Sequence, residues 1–185
     1  MKNDTQAAKL KIVHASKDSP AVRSMDINEL FLRYSRYVAF IAHRILGDPD
    51  DTEDLVQDVF LDAYRGLKRR ESEAEIKGWL AVVTTRKAKR FLKNRRFKQM
   101  LGLTETPDYC NLADDSATPE QATLARSVYR ELDRLPVDDR IAWTLRHVQG
   151  ENLDECARLA GCSRATVHRR ITAASIALRE MFNDE

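Results

Sequence analysis

Leu153 to Ile171, LDECARLAGCSRATVHRRI, decides the fold class of this chain. Asn152 and the Glu155 that follows it sit as a capping box would, opening a helix of about two turns that runs to Leu159. Gly161-Cys162 makes a tight turn, Ser163 is a natural N-cap, and a second helix runs from Arg164 to about Met181. A short helix, a glycine turn of about three residues and a second helix are a helix-turn-helix, with Ala157, Leu159, Val167 and Ile171 supplying the packing between them. In that motif the head of the second helix enters the DNA major groove, where Arg pairs with guanine and Thr touches a thymine methyl. The helix N-terminus with Ser163 also suits a phosphate. The candidate DNA-reading set is therefore Ser163, Arg164, Thr166, Val167, His168, Arg169 and Arg170. An ordinary helical hairpin with solvated arginines uses the same turn; the charge gathered at the helix head favours DNA.

Upstream, Thr118-Pro119-Glu120-Gln121 reads as N-cap, N1 proline and capping-box glutamine, followed by a stripe of Leu124, Val128, Leu132 and Leu135 that ends at Pro136. A short helix of about Asp139 to Val148 leads into the motif. Leu101 to Thr118, with Gly102, Pro107 and Asp114-Asp115, has no periodicity and reads as a linker. Before it lie three helical periods: Asp26 (N-cap) to Ile45, stopping at Gly47-Asp48-Pro49; about Asp51 to Leu67; and about Ile76 to Phe97. The third loses apolar residues toward its end, so its far end is expected to project a basic face. No stretch alternates long enough for a strand. The expected fold is all-α, two small helical domains joined by a flexible acidic linker, the second carrying the helix-turn-helix. Its divisions are 1–24 (a flexible extension), 25–100, 101–118 (the linker) and 119–185.

The formal net charge of +2 conceals opposed blocks. Seven acids and no base lie from Asp48 to Asp62, eight bases and no acid from Arg86 to Lys98, and 101–120 is acidic without a base. Such segregation marks separate surfaces with separate partners. A row of acids cannot bind DNA, so a basic or helical protein surface is its natural partner; the basic run, with Phe91, Phe97 and Trp79 near it, suits phosphates and unpaired bases. The longest apolar run, Tyr37 to Ala42, is far below the roughly 18 residues that cross a bilayer, and the opening residues hold no secretory h-region, so a cytoplasmic chain without membrane insertion is expected. Three cysteines without a C-x-x-C pair fit a reducing compartment. Cys156 and Cys162 occupy positions of small apolar residues, which disfavours a metal cluster with His168 or His147. With no P-loop, H-E-x-x-H or G-x-S-x-G string, neither a catalytic residue nor a metal or cofactor is expected, and the chain does not read as an enzyme.

Taken in order, Asp54-Leu55-Val56-Gln57-Asp58-Val59-Phe60, Gly78-Trp79-Leu80, the basic helix, the acidic linker and the helix-turn-helix resemble the extracytoplasmic-function sigma factors of bacterial RNA polymerase. The resemblance covers about Met25 to Met181. Leu135-Pro136, Gly150, Glu155, Ala157, Gly161, Ser163, Thr166 and Val167 also match the family's second domain. It implies that 25–100 is sigma region 2, which binds core RNA polymerase and melts the promoter −10 element, and that 119–185 is region 4, which reads the −35 element. It implies further that Asp54, Leu55, Val56, Gln57, Asp58 and Phe60 dock on the polymerase clamp. Lys68, Arg69, Arg70, Trp79, Arg86, Lys89, Arg90 and Lys93 would contact −10 DNA, with the loop from Lys68 to Glu75 capturing a flipped base. An anti-sigma factor is a further implied partner. The chain departs from the family at Arg86 and Arg90, where Asn and Asp are common. A sigma-like adaptor, or a stand-alone helix-turn-helix regulator, would share part of this pattern.

Two promoter elements about 17 base pairs apart at roughly 3.4 Å each lie about 58 Å apart. A linker of about 18 residues averages about 23 Å as a free coil and reaches roughly 60 Å at full stretch. Simultaneous contact is therefore expected to need polymerase to hold the linker extended, with Glu105, Asp108, Asp114 and Asp115 in a basic channel.

Overall fold

A computed structural model describes residues 27–66, 73–103, 107, 109 and 118–183, and within them seven α-helices and no strand. Helix α1 (Ile27–Leu46) buries Leu30, Tyr34, Val38, Ile41, Ala42 and Ile45, the three-and-four spacing legible in the sequence. Its expected N-cap, Asp26, lies outside the described residues. Gly47 follows at φ +77°, a left-handed conformation that an L side chain adopts only with strain.

Helix α2 (Pro49–Gly66) begins two residues earlier than its periodicity suggests, because Asp48 is a cap and not merely part of a stop. Its Oδ1 accepts from the Asp51 N–H at 3.0 Å, and the Thr52 hydroxyl donates to its carbonyl at 2.5 Å. Pro49 takes the first helical position, where its missing N–H costs nothing. Leu55, Val56, Val59, Phe60 and Ala63 turn inward onto α1.

Helix α3 (Glu73–Met100) is longer at both ends than the spacing implies. Its buried stripe does not fade: Ile76, Leu80, Ala81, Thr84 and Thr85 continue into Ala88, Leu92 and Arg95. The Thr84 hydroxyl is satisfied by the Leu80 carbonyl at 2.7 Å. The far end does present an outward basic face, with Arg90, Lys93, Arg96 and Lys98 exposed, but Arg95 is an exception, buried among carboxylates and a tyrosine.

Helix α4 (Pro119–Arg134) forms the capping box in full: the Gln121 N–H donates to Thr118 Oγ1 at 3.3 Å and the Thr118 N–H to Gln121 Oε1 at 3.0 Å. Leu124 is 60% exposed and does not belong to the packed stripe, because burial on this helix begins only at Tyr129. Helices α5 (Val137–His147), α6 (Leu153–Ala160) and α7 (Arg164–Asn183) complete the chain. Between α6 and α7, Gly161 takes φ +66°, the left-handed C-cap the turn requires. The Asn152 side chain caps the Glu155 N–H at 2.9 Å, but the Glu155 carboxylate turns to Arg158 instead of back to Asn152, so this box is only half made.

The two small helical units expected from the sequence, α1–α3 and α4–α7, are packed directly on one another. One continuous apolar cluster runs from Leu30, Ile45 and Leu80 to Ile141, Leu145, Leu159 and Val167, so α5 and α6 pack on α1 and α3. A smaller cluster joins Tyr129, Leu132 and Leu135 of the α4 segment to Ala174 and Leu178 of α7, and it also holds Tyr109 of the linker, only 1% exposed. An aromatic ring buries a large apolar area while its hydroxyl keeps a polar partner, which is what pins this point of the linker.

Candidate nucleic-acid and partner interface

The helix-turn-helix presents a compact polar edge. Ser163 Oγ accepts from the Thr166 N–H at 3.2 Å and lies 2.9 Å from the Thr166 hydroxyl, so the residue that caps α7 also fixes a neighbouring side chain at its head. Arg164, His168 and Arg169 are exposed, and Thr166 is half-buried. Val167 is fully buried between α6 and α7 and positions the motif without facing outward, which removes it from the reading set. Arg170 is not free either: its guanidinium lies 3.7 Å from Asp138 and 3.9 Å from Asp139, both in the first turn of α5.

On α3, Arg86, Arg90 and Lys93 are exposed and Trp79 is half-buried beside an open groove shared with Gly78, Val82 and Arg158. Lys89 pairs with Asp138, and Lys93 reaches the same carboxylate at 3.7 Å. Burial works against charge on Asp138, yet Lys89, Arg170 and Lys93 outweigh it and hold its carboxyl below the ordinary range. Lys68, Arg69 and Arg70 lie outside the described residues.

The acidic helix divides by face. Asp54, Gln57 and Asp58 are exposed, as is Asp62. Leu55, Val56 and Phe60 are buried, the Phe60 ring meeting Phe31 edge-on at 4.9 Å between centroids. Only the polar half of the expected docking string is therefore available to a partner; its apolar half builds the core that presents it. Part of the acidity is balanced internally, since Lys87 lies 2.8 Å from Asp62 and 3.5 Å from Asp58.

The sequence reading misses one polar centre. Asp133 accepts from Arg95 at 3.0 Å, from Arg140 and from the Tyr109 hydroxyl, while Arg95 also donates to Asp51 at 2.9 Å. Arg140 is 2% exposed, within the range of the core leucines. No local signal marks these residues, because Asp133 and Arg140 flank Pro136 in different helices and Arg95 comes from far upstream.

Residues 30–98 match the family model for Sigma-70 region 2, and residues 125–178 match that for Sigma-70, region 4, so the two models fall on α1–α3 and α4–α7. The chain is 28% identical over 173 residues to the ECF RNA polymerase sigma factor SigE of Mycolicibacterium smegmatis, covering 91% of this chain and 65% of that protein, just under two thirds of its length. It is 29% identical over 160 residues to the ECF RNA polymerase sigma-E factor of Escherichia coli, covering 82% and 83%. The chain belongs to the ECF sigma factors. Within that family, its fold matches sigma factor RpoE in complex with the anti-sigma factor NepR from Bartonella quintana, at TM-score 0.63, 21% identity, and coverage of 85% of this chain and 97% of that one. CnrH in complex with the cytosolic domain of CnrY matches at TM-score 0.55 and 20% identity, covering 86% and 88%. The all-α reading agrees with both.

Proposed function

We infer that this ECF sigma factor is the promoter-specificity subunit of a bacterial RNA polymerase: it binds the core enzyme, recognises −35 and −10 elements and directs initiation from them. The observation that carries this is the presence, in one chain, of an exposed Asp54-Gln57-Asp58 face on α2 and an exposed Arg164-His168-Arg169 edge on α7. The first is built for a basic protein surface and repels DNA; the second is built for phosphates and base edges. Neither a stand-alone DNA reader nor a simple docking protein needs both.

In this reading Asp54, Gln57 and Asp58 meet the clamp, Trp79, Arg86, Lys89, Arg90 and Lys93, with Lys68, Arg69 and Arg70, serve the −10 region, and Ser163, Arg164, Thr166, His168, Arg169 and Arg170 serve the −35 element. The protein supplies recognition and leaves chemistry to the polymerase, so it is not itself an enzyme. Among the described residues no helix is long and apolar enough to cross a membrane, and the partners place its work in the cytoplasm. An anti-sigma factor is a further partner, by analogy with the two structural relatives, each bound to another protein.

Affinity for core polymerase, with Asp54→Ala and Gln57→Ala beside the unaltered chain, tests the reading, followed by transcription from a promoter library in the same mixture. Weakened binding in the variants and selected transcripts are expected. Core binding without transcripts would favour a sigma-like adaptor, an outcome that the exposed Arg86 and Arg90 make worth separating. No core binding would overturn the reading in favour of a free-standing regulator.

A further inference from the structure

We propose that Arg86 and Arg90 make the −10 element of this protein guanine-specific, each guanidinium reading the O6 and N7 edge of one guanine instead of clamping a phosphate. This rests on the sigma-factor reading above and adds to it the base that is chosen. The first observation is how the cations of α3 are engaged. Lys87 is drawn to Asp58 and Asp62, Lys89 and Lys93 to Asp138, Arg95 to Asp51 and Asp133, and Arg96 to the Leu135 carbonyl at 2.7 Å. Lys98 sits in the last turn, where the carbonyl end of the helix favours a cation. Arg86 and Arg90 are exposed, and no ion pair holds either of them among the described residues. Binding a base through them therefore breaks no pair.

The second observation decides between a phosphate and a base. Arg86 lines one groove with Glu75 and Trp79, and Arg90 lines another with Asp54 and Asp58. The other cations on these walls are already taken, Arg158 by Glu155 and Lys87 by Asp58 and Asp62. A phosphate brought to either guanidinium meets the neighbouring carboxylates as well, and like charges at that range repel. A base edge carries no net charge and escapes the repulsion. The carboxylates then assist, since Asp and Glu accept from the cytosine amino group that pairs with guanine. Guanine alone presents two acceptors side by side in the major groove, which is the pattern that the arginine fork matches.

The third observation is the register of the two side chains. Arg86 and Arg90 lie four residues apart on one face of α3, about 6 Å along the axis at roughly 1.5 Å per residue. Base pairs stack about 3.4 Å apart, so that spacing spans about two steps of duplex. The two guanines are therefore expected no more than two steps from one another. Trp79 stands two turns before Arg86 on the same face, where its ring suits an unpaired base. Paired and opened DNA are thus met along one line of the helix. Arg86 and Arg90 are also the positions at which the chain departs from its family, so the preference belongs to this chain.

The test uses the full chain bound to core RNA polymerase and DNA randomised across the whole promoter span, with the retained molecules sequenced at low and high salt. The unaltered chain should retain guanine at two positions, no more than two steps apart, within the −10 element. Arg86→Lys and Arg90→Lys keep the charge and lose the fork. Each should relax the preference at one of the two positions by about tenfold or more, while the other guanine is still selected and the salt dependence is kept. A −10 element without a guanine preference overturns the proposal, even if a variant fails to fold. A preference that survives both substitutions overturns it too, as does a uniform loss of affinity across all sequences, the mark of phosphate contact. Core affinity of the unaltered chain, measured separately, tells the two failures apart: core binding without guanine selection removes this proposal alone, whereas no core binding removes the sigma-factor reading and this proposal with it.

Discussion

Gly47 shows how much a single position can carry. It ends α1 at a positive φ, and a Cβ there would sit 2.5 Å from Tyr129 Cδ1 and 2.9 Å from Tyr109 Cε1. Gly47→Ala should therefore cost about 2 to 4 kcal/mol, joining left-handed strain to overpacking, and urea unfolding will measure it. The glycine is legible as a helix stop, but the rings that forbid a methyl group come from 62 and 82 positions downstream and leave no local trace. Cys156 illustrates the opposite case: its reading as a small buried residue stands, and burial pushes its thiol up to about 11. It should resist iodoacetamide at pH 8 in the folded chain and react once unfolded, as peptide mass mapping will show. Burial holds His43 below its ordinary value, with Asp48 opposing and Arg44 adding, and burial and Arg146 depress His147 in the same direction. The unfolded chain then takes up these protons first, so stability is full above the ordinary histidine range and falls as pH drops through it toward the folded values. His43→Gln should flatten the slope of unfolding free energy between about pH 7 and 5.5.

At the scale of elements, the separation of stability from recognition can be read along α2. Leu55→Ala should lower stability by about 2 to 5 kcal/mol as a buried truncation, whereas Asp54→Ala should change it by less than about 0.5 kcal/mol while weakening core binding. Thermal unfolding and core titration on the two variants will separate the roles, and equal losses of stability would contradict the facing described. Ser163→Ala removes the cap of α7 and should cost about 1 kcal/mol. Helix identities and most caps were open to sequence reasoning because they depend on residues three or four apart. The docking string and the reading helix were seen as continuous strings, and the helical period then divided each into an exposed polar part and a buried part, Val167 and Phe60 among the latter.

Over the whole molecule, legibility fails where partners are far apart in sequence. The bases of α3 read as an outward face since nothing within that helix neutralises them; two of their acids, Asp133 and Asp138, come from the other half of the chain, and Asp51, Asp58 and Asp62 from α2. The linker read as featureless because Tyr109 interrupts an acidic stretch without periodicity, yet that ring joins α3 to α4 through Arg95 and Asp133. Charge blocks announced separate surfaces correctly and could not announce that two of them meet.

The Tyr129 hydroxyl donates to Arg44 O and Arg140 to Ile45 O and Leu46 O, and this finishing of α1 from the other half of the chain sets an order of events on the ribosome. The carbonyls of Arg44, Ile45 and Leu46 are synthesised 85 to 95 residues before the groups that satisfy them. At about 5 to 20 residues per second, that delay is roughly 5 to 20 seconds, during which water must stand in. Every newly made molecule thus passes through a stage in which the first half is out and nothing yet exists to cover it.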